Sequence, residues 1–164
     1  MRGLFKTVLM LTASVLLLMA CEPKPQPIQF GSDQCEYCRM MITEPQFASQ
    51  VVNKQGRTFP FDSIECMVAH DLTTDNPDNI HSHWVPDFTN SDVWLQAQEA
   101  HYLHSETLRS PMGLYLSAYG VYQVAEEYHN EYLGTLLEWN EVRDLVRQEW
   151  LSNRDNQPHN HNSH

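Results

Sequence analysis

The chain has 164 residues and carries 10 Lys and Arg against 21 Asp and Glu, a formal net charge of −11. Such an acidic surface repels phosphate backbones and anionic lipid headgroups, which excludes the electrostatic mode of nucleic-acid binding and suits a cationic cargo or a basic partner. No Gly-rich phosphate loop, nucleophile elbow or His-Glu-x-x-His occurs, so the usual nucleotide-binding and hydrolase motifs are missing from the sequence.

Residues 1–20 read as a targeting leader. Arg2 and Lys6 supply a basic start, and Thr7 to Met19 is an apolar run too short to span a bilayer comfortably. Leu18-Met19-Ala20-Cys21 has the ending of a lipoprotein signal, although Met at its second position is less usual than Ser, Ala or Thr. Cys21 is then the lipidated residue, an anchor and not a ligand. The expected location is the periplasm, lipid-anchored, with Glu22 favouring the outer over the inner membrane. Removal of Arg2 and Lys6 with the leader leaves 8 basic residues against 21 acidic ones, a net charge of −13. Residues 21–30, with Pro23, Pro25 and Pro27, read as an extended tether.

Two copies of one element order follow, predicting an α+β fold of two ββαβ repeats and a C-terminal helix. In the first, residues 31–90, Phe47 to Asn53 and Thr58 to Phe61 form a hairpin across Lys54-Gln-Gly56-Arg57. Asp62, with Glu65 three residues on, signals a capped helix with Ile64, Val68 and Leu72 on one face, and Ser82 to Phe88 is the third strand. In the second, residues 91–151, the strands are Glu99 to Ser105 and Leu114 to Ser117. A helix over Tyr119 to Tyr132 presents Val124, Ala125 and Tyr128 on one face, and Gly134 to Trp139 forms the last strand. A final helix, Glu141 to Leu151, buries Val142, Leu145, Val146 and Trp150. The Asn- and His-rich segment 152–164 is expected to be disordered, with His159, His161 and His164 offering at most weak metal binding.

Sulfur is distributed unusually. Beyond the leader the methionines are Met40, Met41, Met67 and Met112, placed beside motif cysteines or in the turn Ser110-Pro-Met112-Gly113 rather than in the later amphipathic helices. Once Cys21 is lipidated, Cys35, Cys38 and Cys66 remain, an odd number that leaves a thiol unpaired or metal-bound in an oxidising compartment. Thiolate and thioether together select soft cations, Cu(I) foremost. On an extended backbone Cys38 and Met40 face the same side, with Ile42 as an apolar wall and Met41 pointing the other way to pack. Met112, in a Pro-Gly turn, offers a third sulfur from the second repeat. The expected metal residues are therefore Cys38, Met40 and Met112, with Cys35 auxiliary. Met67 fits core packing, and the role of Cys66 stays open. No catalytic residues are expected. His81-x-His83 reads as a surface strand pair.

Two other readings of Cys35-x-x-Cys38 remain. One is a periplasmic thiol–disulfide oxidoreductase, for which Arg39-Met40-Met41-Ile42 is a poor helix opening. The other is a structural zinc site completed by Cys66 and His70, which share a helical face at i, i+4.

The assembled motifs resemble the NosL family, copper-binding lipoproteins that support maturation of nitrous oxide reductase. The matching parts are the leader, Cys35-x-x-Cys38-x-Met40-x-Ile42, the hairpin feeding Phe61-Asp62, Ser110-Pro-Met112-Gly113 followed by Ala118-Tyr119, and the closing segment Gly134 to Val142. The sequence departs from the family at Tyr119, where Phe is expected, and Cys66-Met67 falls where relatives vary. The resemblance implies a duplicated ββαβ fold like that of an organomercurial lyase and one Cu(I) per monomer. It implies a metallochaperone, not an enzyme. The implied partners are a membrane ABC-type assembly complex and apo-nitrous oxide reductase.

Overall fold

The computed structural model describes residues 22–152. The leader, the lipidation signal at Cys21 and the tail from residue 153 lie outside the described residues. Among the described residues no helix is long and apolar enough to cross a membrane.

The first repeat opens with β1 (Ser49–Asn53) and β2 (Thr58–Phe61). Asn53 closes the hairpin: its Oδ1 accepts from the Gln55 and Arg57 amides at 3.0 and 2.8 Å. Gly56 supplies the positive φ of +79° that such a turn needs. Helix α1 (Ile64–Thr73) follows, then a 3₁₀ turn at Pro77–Asn79, β3 (Ile80–Asp87) and β4 (Asn90–Gln96). The second repeat holds β5 (His101–His104), β6 (Leu116–Tyr119), α2 (Tyr122–Tyr132) and β7 (Thr135–Leu137). Helix α3 (Trp139–Val146) and a π-helical turn at Arg147–Leu151 end the domain.

Both sheets are antiparallel, ordered β2-β1-β3-β4 and β6-β5-β7. In each, the first strand of the repeat is flanked by its second and third, so the ββαβ unit occurs twice. Strand β4 is the addition. Half of its residues stay exposed, including Val93 at the edge, so its sequence carries no clean apolar alternation. The helix starts also shift. Ser63, not Asp62, caps α1, its Oγ accepting from the Cys66 amide at 3.3 Å. Glu138 and Glu141 form a capping box that starts α3 two residues before the expected position.

One core joins the repeats. Ile42, Val51, Phe61, Ile64, Met67 and Val68 pack with Tyr102, Leu114, Leu116, Trp139, Val142 and Val146. Helix α1 lies between the sheets, against β1, β2, β6 and α3, so every residue from Ile64 to Ala69 is buried rather than one stripe. The sheets meet where the Phe88 amide donates to the Ala118 carbonyl at 2.8 Å. The Pro-rich segment docks from Gln26 onward: Gln26 and Gln50 exchange hydrogen bonds of 3.0 and 2.5 Å.

A buried polar latch ties α1 to α3. Asp71 accepts from Arg143 and is bonded to His83 Nε2 at 3.1 Å, while His83 Nδ1 meets Gln98 at 3.2 Å. His81-x-His83 is therefore only half a surface pair: His81 is exposed, but His83 is buried, because this network satisfies both of its ring nitrogens. Burial pushes the Asp71 carboxyl up, but its bonds to His83 and Arg143 outweigh it and hold the pKa at about 2. A folded pKa below the unfolded value contributes stability that is complete above about pH 4 and is lost as pH falls toward 2. On that shift Asp71 contributes on the order of 2 kcal/mol at neutral pH. Asp71→Asn is expected to lower the neutral unfolding midpoint and to flatten its decline between about pH 4 and pH 2. Thermal unfolding followed across that range checks it.

Candidate metal centre

Residues Cys35 to Met40 form a closed knuckle. The Cys35 amide donates to the Met40 carbonyl at 2.8 Å, and the Arg39 amide donates to the Cys35 carbonyl at 3.0 Å. Arg39 takes a φ of +65° to close the turn. The Glu36 amide fastens the knuckle to β2 through the Pro60 carbonyl at 2.9 Å. The backbone from Cys38 to Met40 is thus a turn, not a strand, and the same-side argument from a period of two does not apply there.

The knuckle faces the first turn of α1, which carries Cys66. The three sulfurs of Cys35, Cys38 and Cys66 lie within 4.8 Å of one another, and all three thiols are free. Cys35 and Cys66 are fully buried, whereas Cys38 is half-buried. Cys35 is held near a pKa of about 5: the Cys66 thiol donates to it, and the amides of Cys38, Asp62 and Tyr37 add to that against the cost of burial. The same hydrogen bond, together with burial, pushes Cys66 up, and burial pushes Cys38 up. Cys35 is thus the readiest of the three to lose its proton, and metal binding releases the protons of all three.

Two buried carboxyls border it. Asp62, with neither oxygen hydrogen-bonded, is raised to about 6 by burial, by the charge on Cys35 and by Glu44. Glu65 is fully buried and raised by that burial; its Oε1 accepts from Ser110 Oγ and from the Leu114 amide at 3.2 Å. The residue before Cys66 thus holds the loop that carries Met112. Ser110 Oγ also accepts the Tyr115 amide at 2.9 Å, and Gly113 turns the loop with a φ of +84°.

Of the sequence-derived candidates, Cys35 and Cys38 converge. Met112 is partly buried against the core cluster, and Met67 within that cluster is fully buried, as expected of packing. Met40 is 51 % exposed, and Met41, expected to pack, is 52 % exposed. His70 is not among the converging ligands: its ring lies against Phe61 and Phe59, at centroid separations of 5.1 and 6.4 Å. A zinc site through Cys66 and His70 therefore lacks its fourth ligand. The converging residue that sequence reasoning left open is Cys66. Its signals were the odd thiol count and its i, i+4 spacing to His70, which pointed to zinc; contact between α1 and the knuckle is a tertiary matter.

These features define an α+β protein with a thiol-lined centre enclosed between a knuckle and a helix start. The NosL family model matches residues 27–146, and the chain belongs to the NosL family. The fold is similar to the crystal structure of the copper chaperone NosL from Shewanella denitrificans, with a TM-score of 0.65 and 21% identity over 73% of this chain and 95% of that one. No curated protein matches the chain. At Tyr119, where the resemblance leads one to expect Phe, the added hydroxyl is accommodated by a 3.0 Å hydrogen bond with Ser117 Oγ.

Proposed function

We propose that the protein is a copper carrier rather than an enzyme, holding Cu(I) at the Cys35–Cys38 knuckle and releasing it by ligand exchange. The observation that carries this reading is the convergence of three cysteine sulfurs within 4.8 Å, with no histidine or carboxylate in the converging set among the described residues. Such donors favour a soft monovalent ion over Zn(II). The thioethers of Met40 and Met112 are proposed to take the ion during transfer to a partner. Met40 is exposed, so an incoming partner sulfur can reach the ion from its side. The family membership and the likeness to a copper chaperone support the same reading.

The finer proposal is that the chain, lipidated at Cys21 in the periplasm, delivers copper for the copper centre of nitrous oxide reductase through an ABC-type membrane assembly complex. Deletion of the coding sequence is expected to leave the reductase copper-deficient, and re-expression of the intact chain is expected to restore it. A fully loaded reductase in the deletion strain overturns the delivery proposal while leaving copper carriage untouched.

Metal preference is the expected result most easily checked. Reduced protein mixed with one equivalent each of Cu(I) and Zn(II), without oxygen, is expected to retain copper and release zinc on desalting. Retention of zinc in preference to copper counts for a structural zinc site. The thiol oxidoreductase reading requires metal-free turnover of a disulfide substrate, and its absence from the reduced, metal-free protein is expected.

A further inference from the structure

We infer that Cys66 is a third thiolate ligand of the metal centre, so that the bound soft cation rests in a three-sulfur site formed by Cys35, Cys38 and Cys66. This deepens the copper-carrier reading and rests on it. A metal–thiolate bond is roughly 2.3 Å, so three thiolates arranged trigonally around one ion stand about 4.0 Å apart. The three sulfurs already lie within 4.8 Å of one another, and a slight contraction brings all three onto one ion.

Cys35 and Cys38 lie on one knuckle, while Cys66 projects from a separate element in the first turn of α1. Cys66 is fully buried, and its sulfur lies within 4.8 Å of both knuckle sulfurs, so it faces the centre. A soft cation held by all three displaces the thiol protons, which leave to solvent or buffer.

The exposure of the sulfurs runs in one direction. Met40 is 51 % exposed, Cys38 is half-buried, and Cys35 and Cys66 are at 0 %. Cys38, the one partly exposed cysteine of the three, is the side open to an incoming ion, and Cys35 and Cys66 form the buried wall of its resting place. Three thiolates hold a soft ion against competing thiols better than two, and the exposed thioether keeps exchange open. Metal bound in this way also fastens the knuckle to α1 and so stabilises the folded state by mass action.

The test uses ¹⁰⁹Ag(I) as a soft monovalent probe, at one equivalent, on the full chain kept reduced and free of oxygen. Scalar coupling from a single silver resonance is expected to the Hβ protons of Cys35, Cys38 and Cys66. Coupling to Cys35 and Cys38 with none to Cys66 overturns the assignment and leaves the carrier reading standing. Failure to bind silver stoichiometrically overturns both. In parallel, Cys66→Ser is expected to lower Cu(I) affinity by about tenfold or more in competition with a Cu(I) chelator. The metal-dependent rise in unfolding temperature is expected to shrink with it. An unchanged affinity in folded Cys66→Ser also overturns the proposal, and should that variant fail to fold, the silver couplings of the unmodified chain decide.

Discussion

Cys35→Ser is expected to reduce Cu(I) affinity by about a thousandfold or more, equivalent to about 4 kcal/mol. Among the three thiols Cys35 is the one whose surroundings lower the pKa, through the Cys66 thiol and three backbone amides against the cost of burial. A serine there cannot supply a thiolate, and the donors aimed at Sγ lose their anionic acceptor. Cys38→Ser is expected to cost less, because Cys38 is half-exposed and its thiol must first lose a proton that burial holds in place. That order reverses the ranking drawn from the spacing Cys38-x-Met40, which assumed an extended backbone where Arg39 makes a turn. Competition with a Cu(I) chelator at fixed pH measures both variants. A larger loss for Cys38→Ser restores the spacing argument and assigns Cys35 an auxiliary place.

Gly134→Ala is expected to destabilise the fold by about 3 kcal/mol or more, with unfolding at or near room temperature as the extreme outcome. Gly134 has a φ of +125°, and a Cβ built there lies 2.2 Å from the His104 carbonyl oxygen. That oxygen is backbone of β5, so relief requires β5 and β7 to separate. Leu133 before it is already at a φ of +58°, leaving the connection no slack to rotate. The loss should appear in chemical denaturation of the metal-free protein. It should be only partly recovered with copper, since the three converging cysteines lie in the first repeat and the strain in the second. A Gly134→Ala protein as stable as the original would mean that the α2–β7 connection has freedom that this geometry denies it.

The duplicated ββαβ order was legible because each repeat announces itself locally. Lys54-Gln-Gly56-Arg57 marks a hairpin, Gly134 ends a helix, and Val124, Ala125 and Tyr128 keep the helical period toward their small cluster. Strand β4 was not legible, since it is stabilised by its ladder with β3 rather than by its own apolar pattern. The cap of α1 moved from Asp62 to Ser63 for a related reason. Either residue can cap a helix, and only the packed structure reveals that the Asp62 side chain is turned inward near Cys35.

The metal centre was partly legible. Cys35, Cys38, Met40 and Met112 stood out by residue type and motif. The contribution of Cys66 did not, because it depends on α1 docking against the knuckle. The buried Glu65 reads in sequence as a capping residue, yet in the fold it holds the Ser110 to Leu114 loop. Sequence spacing reports which side chains share an element. It says little about which elements meet.

A soft, sulfur-bound monovalent copper is the proposed physiological occupant of this centre. X-ray absorption at the copper edge, on protein loaded with one equivalent of Cu(I) without oxygen, tests it most directly. The account predicts an edge typical of Cu(I) and a first shell made of sulfur alone, with the sulfur count falling in Cys35→Ser. A first shell dominated by nitrogen or oxygen, or one unchanged by Cys35→Ser, contradicts it.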